Sequence, residues 1–189
     1  MTTNKNHLSS FAKPAFYAEI ERKRISIEFK DSKDKSVKKQ LSMLKHLIDR
    51  CIRTSSNLIA PDASVAALKL AARYNINLFG AKEQDKRAMQ EYMMRSNPAE
   101  NDCFFYEHKE TVYELIVKIS KSETEQEVFS IFKLQEIVWV LHSENNNLIE
   151  LGFNSERMNA NEAYNAANIN VVKTILSTND WLQAKWSRI

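Results

Sequence analysis

The chain has 189 residues, 43% hydrophobic and 27% charged, with a net charge of +3, a balance that excludes intrinsic disorder. No apolar run approaches the roughly 20 residues of a bilayer-crossing helix, and the polar start MTTNKNHLSS has no hydrophobic stretch behind it to act as a secretory signal. Only 2 glycines and 3 prolines occur, whereas tight turns, hairpins and phosphate-cradling loops mostly need Gly for positive φ.

In chain order, residues 1–10 read as a loose tail. Pro14 suits the first turn of a helix running to about Arg24, where its missing N–H leaves no bond unmade. Ile25-Ser26-Ile27-Glu28-Phe29-Lys30 alternates apolar and polar residues and admits one short strand near 25–30. From Val37 to Arg53, the residues Val37, Leu41, Leu44, Leu47, Ile48, Cys51 and Ile52 recur at helical spacing, with Lys38, Lys39, Lys45, Arg50 and Arg53 largely off that stripe. Pro61-Asp62 opens a helix through Tyr74. Asn75-Ile76-Asn77 breaks it, and another helix follows from about Ala81 to Met94.

Ser96 to Asp102 is polar, contains Pro98 and marks a boundary between lobes 1–95 and 96–189. Thr111 to Ser120 is helical beyond it. Ser122 with Glu125 has the form of a capping box, so a further helix starts there and carries apolar residues from Val128 to Leu141. Asn145 to Asn147 stops that helix. Leu148 to Phe153 is a short apolar piece, the last long helix spans about Asn161 to Leu176, and a terminal turn bears Trp181 and Trp186. The expected fold is all-α, an irregular bundle of six to eight helices.

Charge is divided unevenly. Residues 1–95 carry 19 Lys/Arg against 10 Asp/Glu, and residues 96–189 carry 8 against 14. A basic half gathers polyanions by releasing their counterions. Cys51 and Cys103 lack the paired spacing of a disulfide framework or zinc knuckle and read as reduced thiols in a cytoplasmic protein.

Leu68 to Met93 has the outline of a helix-turn-helix. Ala71 is the small residue that lets the second helix pack close, Asn75 takes the turn and Ile76 plugs the core. The second helix then offers Lys82, Gln84, Lys86 and Arg87 to a groove, with Glu83 and Asp85 standing against that role. Glu28 and Lys30 have the Glu-x-Lys spacing of metal-dependent nucleases, a chemistry that also needs a second acid on a neighbouring strand. Glu107, Glu110 and Glu114 with His108 lack the Glu-x-x-His spacing of a di-metal bundle. Cys103 and His108 lack the orienting partner of a thiol nucleophile.

These features describe a non-catalytic helical binding protein without cofactor or metal, a DNA-associated regulator or an accessory subunit of a nucleoprotein assembly. Lys82, Gln84, Lys86, Arg87, Lys38, Lys39 and Lys45 would contact double-stranded DNA. Trp181 and Trp186 would anchor a protein partner or a second copy through the C-terminal lobe, and no membrane contact is expected. The alternatives are an adaptor or immunity-type protein acting through protein contacts alone, and a nuclease using Glu28 and Lys30.

Overall fold

The computed structural model describes residues 3–157 and 159–174. Its elements in chain order are α1 (Thr3–Glu28), α2 (Lys35–Ser56), β1 (Asp62–Ser64), α3 (Val65–Arg73), α4 (Lys86–Ser96), β2 (Phe104–His108), α5 (Val112–Lys121), α6 (Glu125–Lys133), β3 (Ile137–Leu141), α7 (His142–Glu150), α8 (Ala160–Ala166) and β4 (Val171–Val172). They form two compact units that interleave along the chain. One comprises residues 1–58 and 112–134, the other residues 59–111 and 135–189. The boundary expected at Pro98 therefore falls inside the second unit.

The first unit is helical. Ala12, Ala15 and Ala18 recur every third residue on α1 and pack with Ile48 and Ile52 of α2, Leu115 and Ile119 of α5, and Val128 and Phe132 of α6. Small side chains on one helix allow neighbouring backbones to approach closely, so larger residues on the other three fill the space. Asp34 caps α2 by accepting a hydrogen bond from the Ser36 N–H at 2.8 Å. The capping box before α6 is Thr124 with Glu127, two residues beyond the Ser122–Glu125 pair the sequence suggests.

Two expectations fail on α1. The stretch read as a tail is helical from Thr3, which places Pro14 inside the helix. The alternating segment at 25–30 completes α1 and turns, with Ile25 in the core and Ile27 79% exposed. Alternation over six residues cannot decide between periods 2 and 3.6 when one face of a helix is also polar.

The second unit corrects the all-α expectation, for it contains a four-stranded mixed sheet of order β2-β3-β1-β4. β3 pairs antiparallel with β2 and parallel with β1, and β4 pairs antiparallel with β1. Ile137-Val138-Trp139-Val140-Leu141, expected as the apolar end of a helix, is a strand instead. It is one of the two inner strands, beside β1, and its side chains serve both faces. Ile137 and Trp139 join Ala67, Leu70 and Ala71 of α3, Met89 and Met93 of α4, and Phe104 and Tyr106 of β2. Val138 and Val140 join Leu148 of α7 and Ala163, Tyr164, Ala167 and Ile169 around α8. A strand covered on both faces is continuously apolar rather than alternating.

Glycine scarcity misleads because no tight hairpin joins these strands. The links from β1 to β2, β2 to β3 and β3 to β4 all pass through helices, so the positive-φ positions that hairpins demand are not required. Where the described chain turns left-handed, Gly152 (φ 85) serves once and Asn takes the place of Gly at Asn75 (φ 51) and Asn168 (φ 57). Asn168 ends α8 and releases the chain into β4, which shortens the long last helix expected from Asn161. Likewise Asn145 to Asn147 lie within α7 and stop nothing.

Among the described residues no helix is long and apolar enough to cross a membrane. Replacing Asn75 with Gly should leave stability unchanged or slightly higher. Asn75→Val should cost about 1–2 kcal/mol, read by urea unfolding, because a β-branched side chain clashes in the left-handed region.

Candidate functional site

Helix α2 has two chemically different sides. Val37, Ile48, Cys51 and Ile52 face the core. At 100° per residue, Lys35, Lys38, Lys39, Lys45, His46, Arg50 and Arg53 fall within an arc of about 140° on the opposite side, and all seven are exposed. The one acid in that arc, Asp49, pairs with Arg53 at 3.1 Å. Among the described residues Lys35, Lys38, Lys39, Lys45 and Arg50 make no ion pair.

The stripe rises about 27 Å from Lys35 to Arg53. Neighbouring cations along it lie within about one Debye length at physiological salt, so their potentials add. The first unit as a whole carries 16 Lys/Arg against 10 Asp/Glu, and the second carries 11 against 14. The first unit is thus net positive and the second net negative, a milder division than that between the two halves of the sequence.

The residues expected to meet nucleic acid divide between the units. Lys38, Lys39 and Lys45 lie on α2. Lys82, Gln84, Lys86 and Arg87 lie in the second unit, where the structure alters the proposed helix pair. Ala71 and Ile76 are buried and Asn75 is left-handed, as that outline requires. The following helix, however, begins at Lys86 rather than Ala81. Residues 78–80 and 83–85 form short 3₁₀ turns instead, so the connection from 74 to 85 far exceeds the three- or four-residue turn of a DNA-reading pair.

The cause is local. Ala81 is fully buried with extended backbone, and the Asn77 side chain accepts from the Gly80 N–H at 3.3 Å. Lys86 holds its ammonium 4.5 Å from the centre of the Phe105 ring, and Arg87 pairs with Glu91 at 2.9 Å. Trp181 and Trp186 lie outside the described residues.

The other candidate chemistries lack their geometry. Glu28 pairs with Arg24 on α1 and Lys30 lies in the turn that follows, so neither is on a strand. Glu107 lies on β2 whereas Glu114 lies in the first turn of α5, in the other unit. Cys103 immediately precedes β2 and His108 ends it, roughly 16 Å apart along an extended chain. Burial pushes the Cys103 thiol up, which opposes activation. No group of three or more His, Cys, Asp or Glu side chains suited to a metal ion occurs among the described residues.

A buried charge network that sequence reading missed closes one end of the sheet. Asp62 and Glu107 both sit opposite Val138, one on each side of β3. Lys109 crosses the end of β3, its N–H donating to the Glu136 carbonyl at 2.9 Å and its ammonium reaching Asp62 at 3.0 Å. Lys173 reaches Asp62 and Glu136, each at 3.0 Å. The Thr174 N–H donates to Asp62 at 2.9 Å. Arg157 pairs with Glu107 and donates to the carbonyls of Phe153 and His108 at 2.7 and 2.9 Å.

Burial pushes the Asp62 carboxyl up, but the Thr174 N–H and the ammonium groups of Lys109 and Lys173 outweigh it and hold the pKa below the ordinary value. With its carboxylates and cations paired to one another, the network is a clamp on the sheet rather than an open site. No single stretch of sequence signals it, because Asp62 and Lys109 meet across 47 residues.

Lys109→Met should destabilise the second unit by about 2–4 kcal/mol, because it removes the buried one of the two cations that lie 3.0 Å from Asp62 and leaves only the exposed Lys173, and adding Asp62→Leu should recover most of that loss. Because the folded Asp62 pKa lies below its unfolded value, this stabilisation is present above about pH 4 and disappears as pH falls below it. Urea unfolding across pH 3–7 should show that dependence flattened in Asp62→Asn. In comparisons with known proteins the chain matches no family model, no curated protein and no solved structure.

Proposed function

We propose that this is a nucleic-acid-binding protein without catalytic chemistry of its own, and that the exposed basic face of α2 is its contact surface. The observation that carries the reading is the arc of cations from Lys35 to Arg53, left unpaired except where Asp49 holds Arg53. Exposed lysines that merely solubilise a helix are usually interspersed with acids at i+3 and i+4. On α2 the only acid is Asp49. Double-stranded DNA is the partner that suits such a surface, since it presents phosphates at high linear density and binding releases the counterions condensed on them.

A second reading has one observation in its favour. Tyr17, Ile20 and Ile27 of α1 are exposed at 54%, 46% and 79% and share one side of that helix. An adaptor acting through protein contacts would use such a stripe, and its binding would be nearly indifferent to salt.

Fluorescence anisotropy with a labelled duplex separates the two. The affinity should fall with salt at a log–log slope of about −3.6 to −4.5, corresponding to four or five phosphates engaged. Lys38→Glu with Lys45→Glu should weaken binding by roughly 100-fold at low salt with circular dichroism unchanged, whereas Lys86→Glu with Arg87→Glu should change it by less than about threefold. A salt-independent interaction, or no duplex binding at low ionic strength, would remove this function from consideration.

A further inference from the structure

We infer that α2 lies lengthwise along the phosphate backbone of duplex DNA, spans close to one helical turn, and does so without reading base sequence. The inference rests on the reading of α2 as the nucleic-acid contact and specifies what that contact recognises. Its first support is length. The cationic stripe covers about 27 Å of helix axis against roughly 34 Å for a turn of duplex, so the charges can follow one run of phosphates from end to end.

The second support is chemical. Base edges are read by side chains that pair them in two places, chiefly Arg on guanine and Asn or Gln on adenine. Between Lys35 and Arg53 the exposed arc holds no Asn, and its one hydroxyl is Ser42. Gln40, the only Gln on α2, lines the groove on the other flank with Ile25, Phe29, Met43 and Leu44. Arg53 is occupied by Asp49. Arg50 is left as the one arginine free to bracket a guanine, while lysine ammonium groups act as point charges suited to phosphate.

Asp49 supplies the third support. Its carboxylate lies within the cationic arc and is only partly screened by Arg53, with side-chain exposures of 30% and 50%. Sinking the helix deep into the major groove would bring this carboxylate against the guanine acceptors and phosphates, a cost avoided when the helix rides on the backbone. Finally, α2 contains no Phe, Trp or Tyr. Binding of single strands relies on stacking unpaired bases on aromatic side chains, and α2 offers no such platform.

The test uses the full chain in anisotropy competition at fixed low salt. Unlabelled alternating AT and GC duplexes of equal length should compete within about twofold of each other, and an oligo(dT) strand of that length at least about fivefold less well. Shortening the duplex from about 12 to 6 base pairs should weaken binding more than tenfold, whereas lengthening it beyond 12 should add only the statistical gain of extra sites. Arg50→Lys should leave the AT/GC ratio within about twofold.

A preference above about tenfold for one duplex, a loss of that preference in Arg50→Lys, or oligo(dT) binding as tightly as duplex would overturn the inference while leaving nucleic-acid binding intact. Absence of any binding would instead overturn the reading on which it rests.

Discussion

Burial of β3 on both faces is the constraint that organises the second unit. Five residues supply the floor of two hydrophobic cores, with Ile137 and Trp139 turned to one side and Val138 and Val140 to the other. Once a strand is apolar on both sides, helices must cover both, and the succession of α3 and α4 on one face with α7 and α8 on the other follows. Trp139 is fully buried and meets Phe104 and Tyr106 edge-on at 6.3 and 4.7 Å, which fixes β2 against β3 by ring packing as well as by the ladder. The charge network at the sheet's end works within this frame: Lys109 reaches Asp62 only because β3 lies between their strands and ends there.

The first unit follows a different logic. Its four helices enclose a core seeded by alanines on α1, and α2 is left with a broad exposed side. A helix needs only one apolar stripe to be held in place, so the composition of the opposite side is not dictated by folding. On α2 that freedom is taken up by lysine and arginine. Hydrophobic burial positions the helix, and the charges it carries outward are available for interaction.

Much of the first unit was legible because α2 repeats its apolar residues at helical spacing over 22 residues, long enough for the period to be unambiguous, and its cations were identifiable as lying off the stripe. The sheet was not legible for reasons particular to each strand. β3 is five residues long and directly follows an apolar helix, so its run of Ile, Val, Trp and Leu reads as the end of that helix until the close of α6 at Lys133 is known. β1 and β4 have three and two residues, too few to show any period. The helix-turn-helix outline was right about the turn at Asn75 and wrong about where the next helix begins, because burial of Ala81 in extended backbone overrides the local helical tendency. The clamp of Asp62, Lys109 and Lys173 unites residues from three distant stretches, a relation that pairwise spacing along one chain does not encode.

The interleaving of the two units constrains how the chain can acquire its shape. The segment carrying α5 and α6, residues 112–134, completes the core begun by α1 and α2, yet it is flanked on both sides by chain belonging to the sheet unit. During synthesis, α1 and α2 emerge with their apolar sides bare and wait more than 50 residues for Leu115, Ile119, Val128 and Phe132. The sheet cannot close in the meantime, since β3, the strand that joins β2 to β1, begins only at Ile137. Both cores are therefore finished late and nearly together, with the entropy of closing long loops spent before the contacts that compensate it exist. A chain wired in this way should fold as a cooperative whole, slowly for its size, rather than lobe by lobe.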